Sequence, residues 1–461
     1  MSTITSDVTN FDLESEANID EPAKKPSALS IFRQRDFKLL WIGEAISLIG
    51  DQFYMIALPW LVLQLTGNAL AMGTVLALAG IPRALFMLVG GALTDRFTPR
   101  MVMLASNLLR MVLVSLLAVI IIIGQIEMWM LYLFALIFGL VDAFFYPAQN
   151  AIVPRLVNKG QLPLANTIMQ GTLQLSLFAG PVLAGYLITV LDKAVATGAV
   201  QGAGDIRGIG LAFGIDALTF LASAITLWMI SHHASVDKKQ EERESENLIS
   251  SIREVLLVVW NDLRLRTFFI LIAVSNFLIN GPLIIGVPVL ANTRFPEGAA
   301  AFGVLMSAYG GGSLLGIAMA GILPRPPARR MGTVLGIVWS VLGLGVVALG
   351  LIPYTPLAAL VTLIMGAANG YVVIIFITWL QTSTQEAMLG RMMSLLMFAS
   401  AGLLPLSSLL TGALIGVHVV GLFVISGSLM TLLVLLMLRN PSIRSLEVVS
   451  NNPDIALEVG D

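Results

Sequence analysis

Gly-Ala-Leu-Thr-Asp-Arg-Phe-Thr-Pro-Arg-Met at residues 91–101 is a short charged break between two long apolar runs. Gly-Ile-Leu-Pro-Arg-Pro-Pro-Ala-Arg-Arg-Met at 321–331 repeats it without a gap. Gly91, Leu93, Arg100 and Met101 fall on Gly321, Leu323, Arg330 and Met331. Gly139-x-x-Asp142 is likewise echoed by Gly366-x-x-Asn369. Both matches place one apolar span on the span six further along, so the chain reads as two parallel halves.

Outward from that break the chain stays apolar. Of 461 residues, 26 are basic and 28 acidic, a charged fraction of 12% against 57% hydrophobic. An ordinary soluble domain carries about 25% charge, and here the mean hydropathy is +0.88. More than half of the charges lie in 1–40, 231–266 and 439–461. A soluble fold of this make-up would expose too much apolar surface to stay dissolved. A helix of about 20 apolar residues crosses a bilayer. Twelve such runs occur, near 37–63, 70–93, 101–124, 129–152, 163–190, 209–231, 266–291, 300–323, 331–352, 356–380, 390–415 and 417–438. The expected fold is an all-α membrane protein with twelve transmembrane helices in two six-helix pseudo-symmetric halves. A tail over 1–36 precedes a first half over 37–231. A charged linker over 232–265, a second half over 266–438 and a tail over 439–461 follow.

Loop charge sets orientation. With both termini in the cytoplasm, 21 Lys and Arg face inward and three (Lys193, Arg207 and Arg294) face outward, as the positive-inside bias requires. The acidic N-terminal tail lacks a cleavable signal pattern and has the composition of a disordered segment, so insertion falls to the first span. In the linker, Ile249, Ile252, Leu256, Val259 and Leu263 recur at helical spacing. That stripe fits an amphipathic helix on the membrane face or a linker helix packed on the bundle. A multi-pass protein of the cell membrane is expected.

Several function classes are excluded at this stage. A net charge of −2 gives no basic field for nucleic acid. The chain has no cysteine and three histidines, so thiolate chemistry and a metal centre are not expected. No phosphate loop or nucleophile–base pair is legible, which argues against an enzyme and against any cofactor.

The segment Gly91-x-x-x-Asp95-Arg96-x-x-x-Arg100 resembles the signature loop of the major facilitator superfamily, with Thr98 and Pro99 replacing family residues. Twelve spans and the half-repeat extend the resemblance over 37–438. It implies a secondary transporter that rocks two halves about a central site. It also implies a gating role for Gly91, Asp95, Arg96 and Arg100, with Asp95 capping the helix that begins near Gly390-Arg391. In span 5, Gly180-Pro181-x-x-Ala184-Gly185 looks like the antiporter motif of drug-exporting members. Small residues there permit close helix approach. Trp41-x-Gly-Glu44 through Gly50-Asp51, Ala165-Asn166, Asp216 and Gly390-Arg391 resemble the branch with the enterobactin exporter and macrolide efflux pumps.

Charges inside the bilayer are costly, so they are functional candidates by default. Glu44, Asp51, Arg83, Arg110, Asp142 and Asp216 qualify, all in the first half. Glu44 and Asp51, seven residues apart, share one face of span 1 about 10 Å apart. Asp51 is the first candidate for proton coupling, with Glu44, Asp142, Arg110 and Arg83 around it. Its alternative role is structural, neutralising a buried arginine. Asp216 is read as a snorkelling or helix-contact residue. Neutral polar residues (Gln52, Gln149, Asn276, Asn280, Tyr309, Asn369 and Gln381) are candidates for a substrate cavity. The functional reading is proton-driven export of a small amphipathic molecule by a monomer in the lipid bilayer. Uptake, or movement of a lipid-like substrate, is the alternative within the same fold, and a transporter-like membrane sensor that moves nothing is the remote one.

Overall fold

The computed structural model describes residues 31–196, 206–231, 256–324, 326–384 and 402–440, with scattered positions between 388 and 400. Most of the charged linker, both end tails and Arg391 lie outside the described residues. The described elements are helices. The first half comprises α1 (Arg35–Thr66), α2 (Ala69–Arg96), α3 (Pro99–Ile122), α4 (Met128–Leu156), α5 (Leu162–Ala196) and α6 (Arg207–Met229). The second comprises α7 (Leu263–Arg294), α8 (Ala299–Ile322), α9 (Ala328–Leu351), α10 (Thr355–Ser383), α11 (Leu404–Ile415) and α12 (Val419–Leu438). Among the described residues, eleven helices are long and apolar enough to cross a bilayer. For α11, 12 residues are described, and the start of that span falls largely on undescribed positions.

In hydrocarbon each backbone N–H and C=O needs an internal partner, which makes continuous helices the solution. Their ends are closed by side chains. Gly67, at φ +60°, terminates α1, and Asn68 Oδ1 accepts from the Leu70 amide at 2.8 Å to open α2. Asp262 caps α7 through the Arg264 amide at 2.7 Å. His418 Nδ1 accepts from the Gly421 amide at 2.7 Å, so the break between the last two helices is a histidine cap. The segment 91–100 differs from expectation. It is not a loop, because α2 continues through Arg96 and Pro99 already begins α3. A first-turn proline costs no helical hydrogen bond. In the linker stripe, Val259 is buried whereas Leu256 and Leu263 are exposed; Ile249 and Ile252 lie outside the described residues.

The two halves repeat in packing as well as in sequence. In the first, α1 packs on α5 and α6, α2 on α4, and α3 on α6; in the second, α8 packs on α10 and α9 on α12. Gly139 on α4 sits against the Ala79 carbonyl, and Gly366 on α10 against the Tyr309 carbonyl. Residues 79 and 309 stand in the register that lays 91–101 on 321–331. A Cβ at Gly139 would lie 2.7 Å from the Ala79 carbonyl carbon. Gly139→Ala should therefore destabilise the first half by about 1–3 kcal/mol, read as a lowered melting temperature of the purified protein. An equal melting temperature would show that α2 and α4 can separate at no cost.

The halves meet along α2·α11 and α5·α8. On the side away from the chain termini the seam is closed. Gln64 Nε2 donates to Asn292 Oδ1 at 3.0 Å, a Cβ at Gly298 would lie 3.5 Å from the Trp60 ring, and Gly185 and Gly303 pack backbone on backbone. Contacts continue to mid-helix, where Gly80 meets the Pro405 ring and Gly311 meets Phe178. About two to three turns further towards the termini, a Cβ built on Gly171 of α5 or on Gly321 of α8 would meet nothing within 4 Å. The halves thus part along the α5·α8 seam, leaving a cleft there that opens on the side of the termini; on the α2·α11 seam many of the residues before Leu404 lie outside the described residues.

Candidate functional site

The site begins with a cation in an aromatic box. Arg110 on α3 is 2% exposed. Its guanidinium lies 4.0 Å from the Phe145 ring centroid, 5.6 Å from Phe220 and 5.8 Å from Phe138. Aromatic faces attract such a cation when water is excluded. Phe138, Asp142 and Phe145 recur at helical spacing on α4, so one face supplies both the box and the counter-ion. Asp142 is paired with Arg110. Its other oxygen lies 3.8 Å from Arg83 of α2, whose side chain remains 39% exposed. One carboxylate therefore serves two guanidinium groups, tightly for the buried one and loosely for the exposed one.

The facing wall is α1. Glu44 is buried, and one of its oxygens accepts from Gln149 Nε2 of α4 while the other has no hydrogen-bond partner. Two turns on, Asp51 is half-buried and makes no ion pair among the described residues. It nonetheless lies within the electrostatic field of Arg110, Asp142 and Arg83. Tyr54, one turn further, stacks on Phe138 at 4.5 Å. The partner of the buried arginine is thus Asp142, not Asp51. Asp216 does not snorkel: it is fully buried, a Cβ at Gly50 would lie 2.6 Å from it, and one of its oxygens lacks a partner.

The cavity candidates separate. Gln149 is engaged with Glu44. Gln52 is buried and packs on Gly180, so it belongs to the α1·α5 contact. Asn280 donates to Asn276 at 2.6 Å, and Asn276 donates to the Ile272 carbonyl at 2.9 Å. Both sit in a π-helical stretch, Asn276–Asn280, with a second at Pro282–Gly286. Such widened turns recur at functional positions, and hydropathy carries no signal for them. Tyr309 and Asn369 are half-buried on α8 and α10, and Gln381 is exposed at the end of α10. Carried across by the internal repeat, Arg83, Arg110 and Asp142 fall on Ser313, Ser340 and Asn369. The second half keeps the positions and drops the charges.

The motif residues lie elsewhere. Pro181 and Gly185 lie in the α5·α8 seam, whereas Gly180 of the same motif faces α1. Gly180 packs on Gln52, Gly303 on the Pro181 carbonyl, and a Cβ at Gly185 would meet the Ala299 carbonyl oxygen at 2.5 Å; Ala184 is buried. The helix runs through Pro181 without interruption. Arg100 Nε donates to the Leu227 carbonyl at 2.8 Å, and the guanidinium also donates to the Trp228 carbonyl. Arg100 thereby holds the end of α6 as well as belonging to the motif. Gly91, Asp95 and Arg96 lie in the last turns of α2, with side chains outside the described set. A cavity of about 410 Å³ between α3 and α4 is lined by apolar side chains including Phe97, Met101 and Phe144, away from both seams.

Comparisons with known proteins agree with this architecture. The family model described as the Major Facilitator Superfamily matches residues 40–406. The chain is 28% identical over 156 residues to macrolide efflux protein A of Streptococcus pyogenes, covering 34% of this chain and 38% of that protein. The match thus spans well under half of that relative. It is 25% identical over 374 residues to the multidrug efflux pump Tap of Mycolicibacterium fortuitum, covering 79% of this chain and 85% of that one. Among solved structures, the nucleoside transporter NupG superposes with a TM-score of 0.68 at 14% identity, over 88% of this chain and 98% of that one. A bacterial homologue of the iron transporter ferroportin, in an inward-facing state, gives 0.65 at 13% identity, over 87% and 98%. At such identities these structures show the fold alone.

Proposed function

We propose, since the chain belongs to the Major Facilitator Superfamily, that this membrane transporter is a proton-driven exporter of a small amphipathic molecule. The positive-inside bias supports termini, and with them an open cleft, that face the cytoplasm of a cell whose plasma membrane holds the protein as a monomer. The observation that carries the reading is the distribution of charge around the cleft. Arg110 and Asp142 form a locked pair that Arg83 approaches only loosely, and Asp51 stands beside it without an ion pair among the described residues. A carboxylate reachable from the cleft, inside the field of two arginines, is where a proton can be exchanged as the halves rock. Glu44, bound to Gln149 two turns closer to the cytoplasm, is the next station. The named efflux function of the macrolide and Tap relatives supports the export direction.

Alternating access requires the far-side seam to open. The absence of native cysteine makes this testable by cross-linking. Gln64→Cys with Asn292→Cys should cross-link readily with a short bifunctional thiol reagent, because the parent side chains are hydrogen-bonded at 3.0 Å. Once linked, transport by reconstituted protein should fall to background, and a cleavable linker should restore it on reduction. Undiminished transport by the linked protein would refute the rocking mechanism.

A further inference from the structure

The charges lining the cleft describe the molecule it accepts. Gly80 of α2 touches Pro405 of the opposite half, and Arg83 lies one turn further towards the termini on the same helix. It is 39% exposed at the side chain, while its contact with Asp142 is long at 3.8 Å. Asp142 is already bound to Arg110, so Arg83 retains donors directed away from that pair. A guanidinium offers a planar fork suited to a carboxylate, which it binds bidentately. Tyr54 and Tyr146 lie within its electrostatic surroundings; Tyr146 is 37% exposed one turn from Asp142, and its hydroxyl is a further donor. On the α1 wall, Asp51 is the half-buried carboxylate that no arginine holds. Of the other charged groups here, Arg110 is held by Asp142 and Glu44 by its hydrogen bond to Gln149, while Asp216 of α6, packed behind Gly50, is fully buried and out of reach of a ligand. The cleft therefore presents one loosely held cation from α2 and one uncompensated anion from α1.

We propose that Arg83 and Asp51 form a bipolar recognition site whose ligand is an amphipathic zwitterion, its acidic group on Arg83 and its ammonium on Asp51. A ligand with both charges leaves neither side chain uncompensated in a partly desolvated cleft. A purely cationic or anionic molecule satisfies one and leaves the other exposed to an unbalanced field. The second half, whose repeat-related positions are Ser313, Ser340 and Asn369, supplies hydrogen bonds and apolar contact without a competing charge. This inference rests on reading the cleft as the substrate path. It adds that ammonium and proton occupy Asp51 in turn, as exchange transport requires.

The test is a charge scan on one skeleton. The probes are 2-naphthylalanine, its amide, its N-acetyl derivative and its N-acetyl amide, which are zwitterion, cation, anion and neutral molecule. Each is added to the purified full-length protein, and thermal stabilisation is read as a dose response. The zwitterion should act at concentrations at least about tenfold lower than the neutral probe, because of the four it alone can form both charge-assisted pairs. Arg83→Gln should remove the advantage of the acidic group while leaving the cation's response intact. Asp51→Asn should remove the advantage of the ammonium while leaving the anion's response intact. Arg83→Lys, which keeps the charge should Arg83→Gln fold poorly, should retain the preference for acid. Equal responses to all four probes, no response to any, or a preference untouched by either substitution would overturn the proposal. Transport of an uncharged substrate in proteoliposomes would overturn it too and leave the exporter reading intact. A clear charge preference without any transport would do the reverse.

Discussion

Asp51→Asn should reduce uphill export by reconstituted protein by about two orders of magnitude or more, the usual scale for removing a proton-transferring group. Energy-independent exchange should persist, because asparagine has nearly the shape of the protonated acid. Asp51→Glu should recover part of the activity with a displaced pH optimum. The expectation follows from the unequal treatment of the two central acids. Asp142 is bound by Arg110 and approached by Arg83, and Asp51 has no ion pair among the described residues. A group that must release and regain a proton in every cycle cannot be held permanently by a buried cation. The deciding measurement is proton-coupled efflux from liposomes under an imposed pH gradient. Full uphill activity of Asp51→Asn would remove it from the mechanism and pass the role to Glu44.

Asp142→Asn should have the largest effect on stability. It would leave Arg110, only 2% exposed, without its counter-ion. Breaking a buried pair by removing one partner costs about 3–5 kcal/mol, so folded yield and melting temperature should both fall sharply. The aromatic box would offset part of that loss, since a cation–π contact contributes roughly 0.5–2 kcal/mol. Arg110→Gln combined with Asp142→Asn should recover most of the yield, because both charges are then gone. Arg83→Gln alone should be milder, as its side chain is partly solvated. Equal damage from Arg83→Gln and Asp142→Asn would mean that the carboxylate's main partner is Arg83.

The sequence by itself determined what depends on neighbours along the chain. A run of about 20 apolar residues becomes a spanning helix whatever else folds around it, because the bilayer offers its backbone no other partners. Hence the membrane class, the helices and the half-repeat at 91–101 and 321–331 are legible without coordinates. The confinement of embedded charge to the first half is legible in the same way. Helix ends were less so: the continuation of α2 through Arg96 depends on where Pro99 starts the next helix. The antiporter-like motif at 180–185 was visible as small residues, but its place in the seam was not.

Only the tertiary structure decided which charges meet. Asp51, Asp142 and Asp216 are chemically equivalent in the sequence. Their partners depend on the rotation and depth of helices set by distant contacts, such as Gly139 on the Ala79 carbonyl and Gly50 on Thr219 and Asp216. Those contacts turn Asp142 towards Arg110, bury Asp216 between α1 and α6, and leave Asp51 without an ion pair among the described residues. The same holds for Gln52, drawn into a helix contact by Gly180, and for the π-helical turns that carry Asn276 and Asn280. Hydropathy is a sum over residues and survives any rotation of the helix. An ion pair is a distance between two side chains, and a rotation of one residue's width removes it.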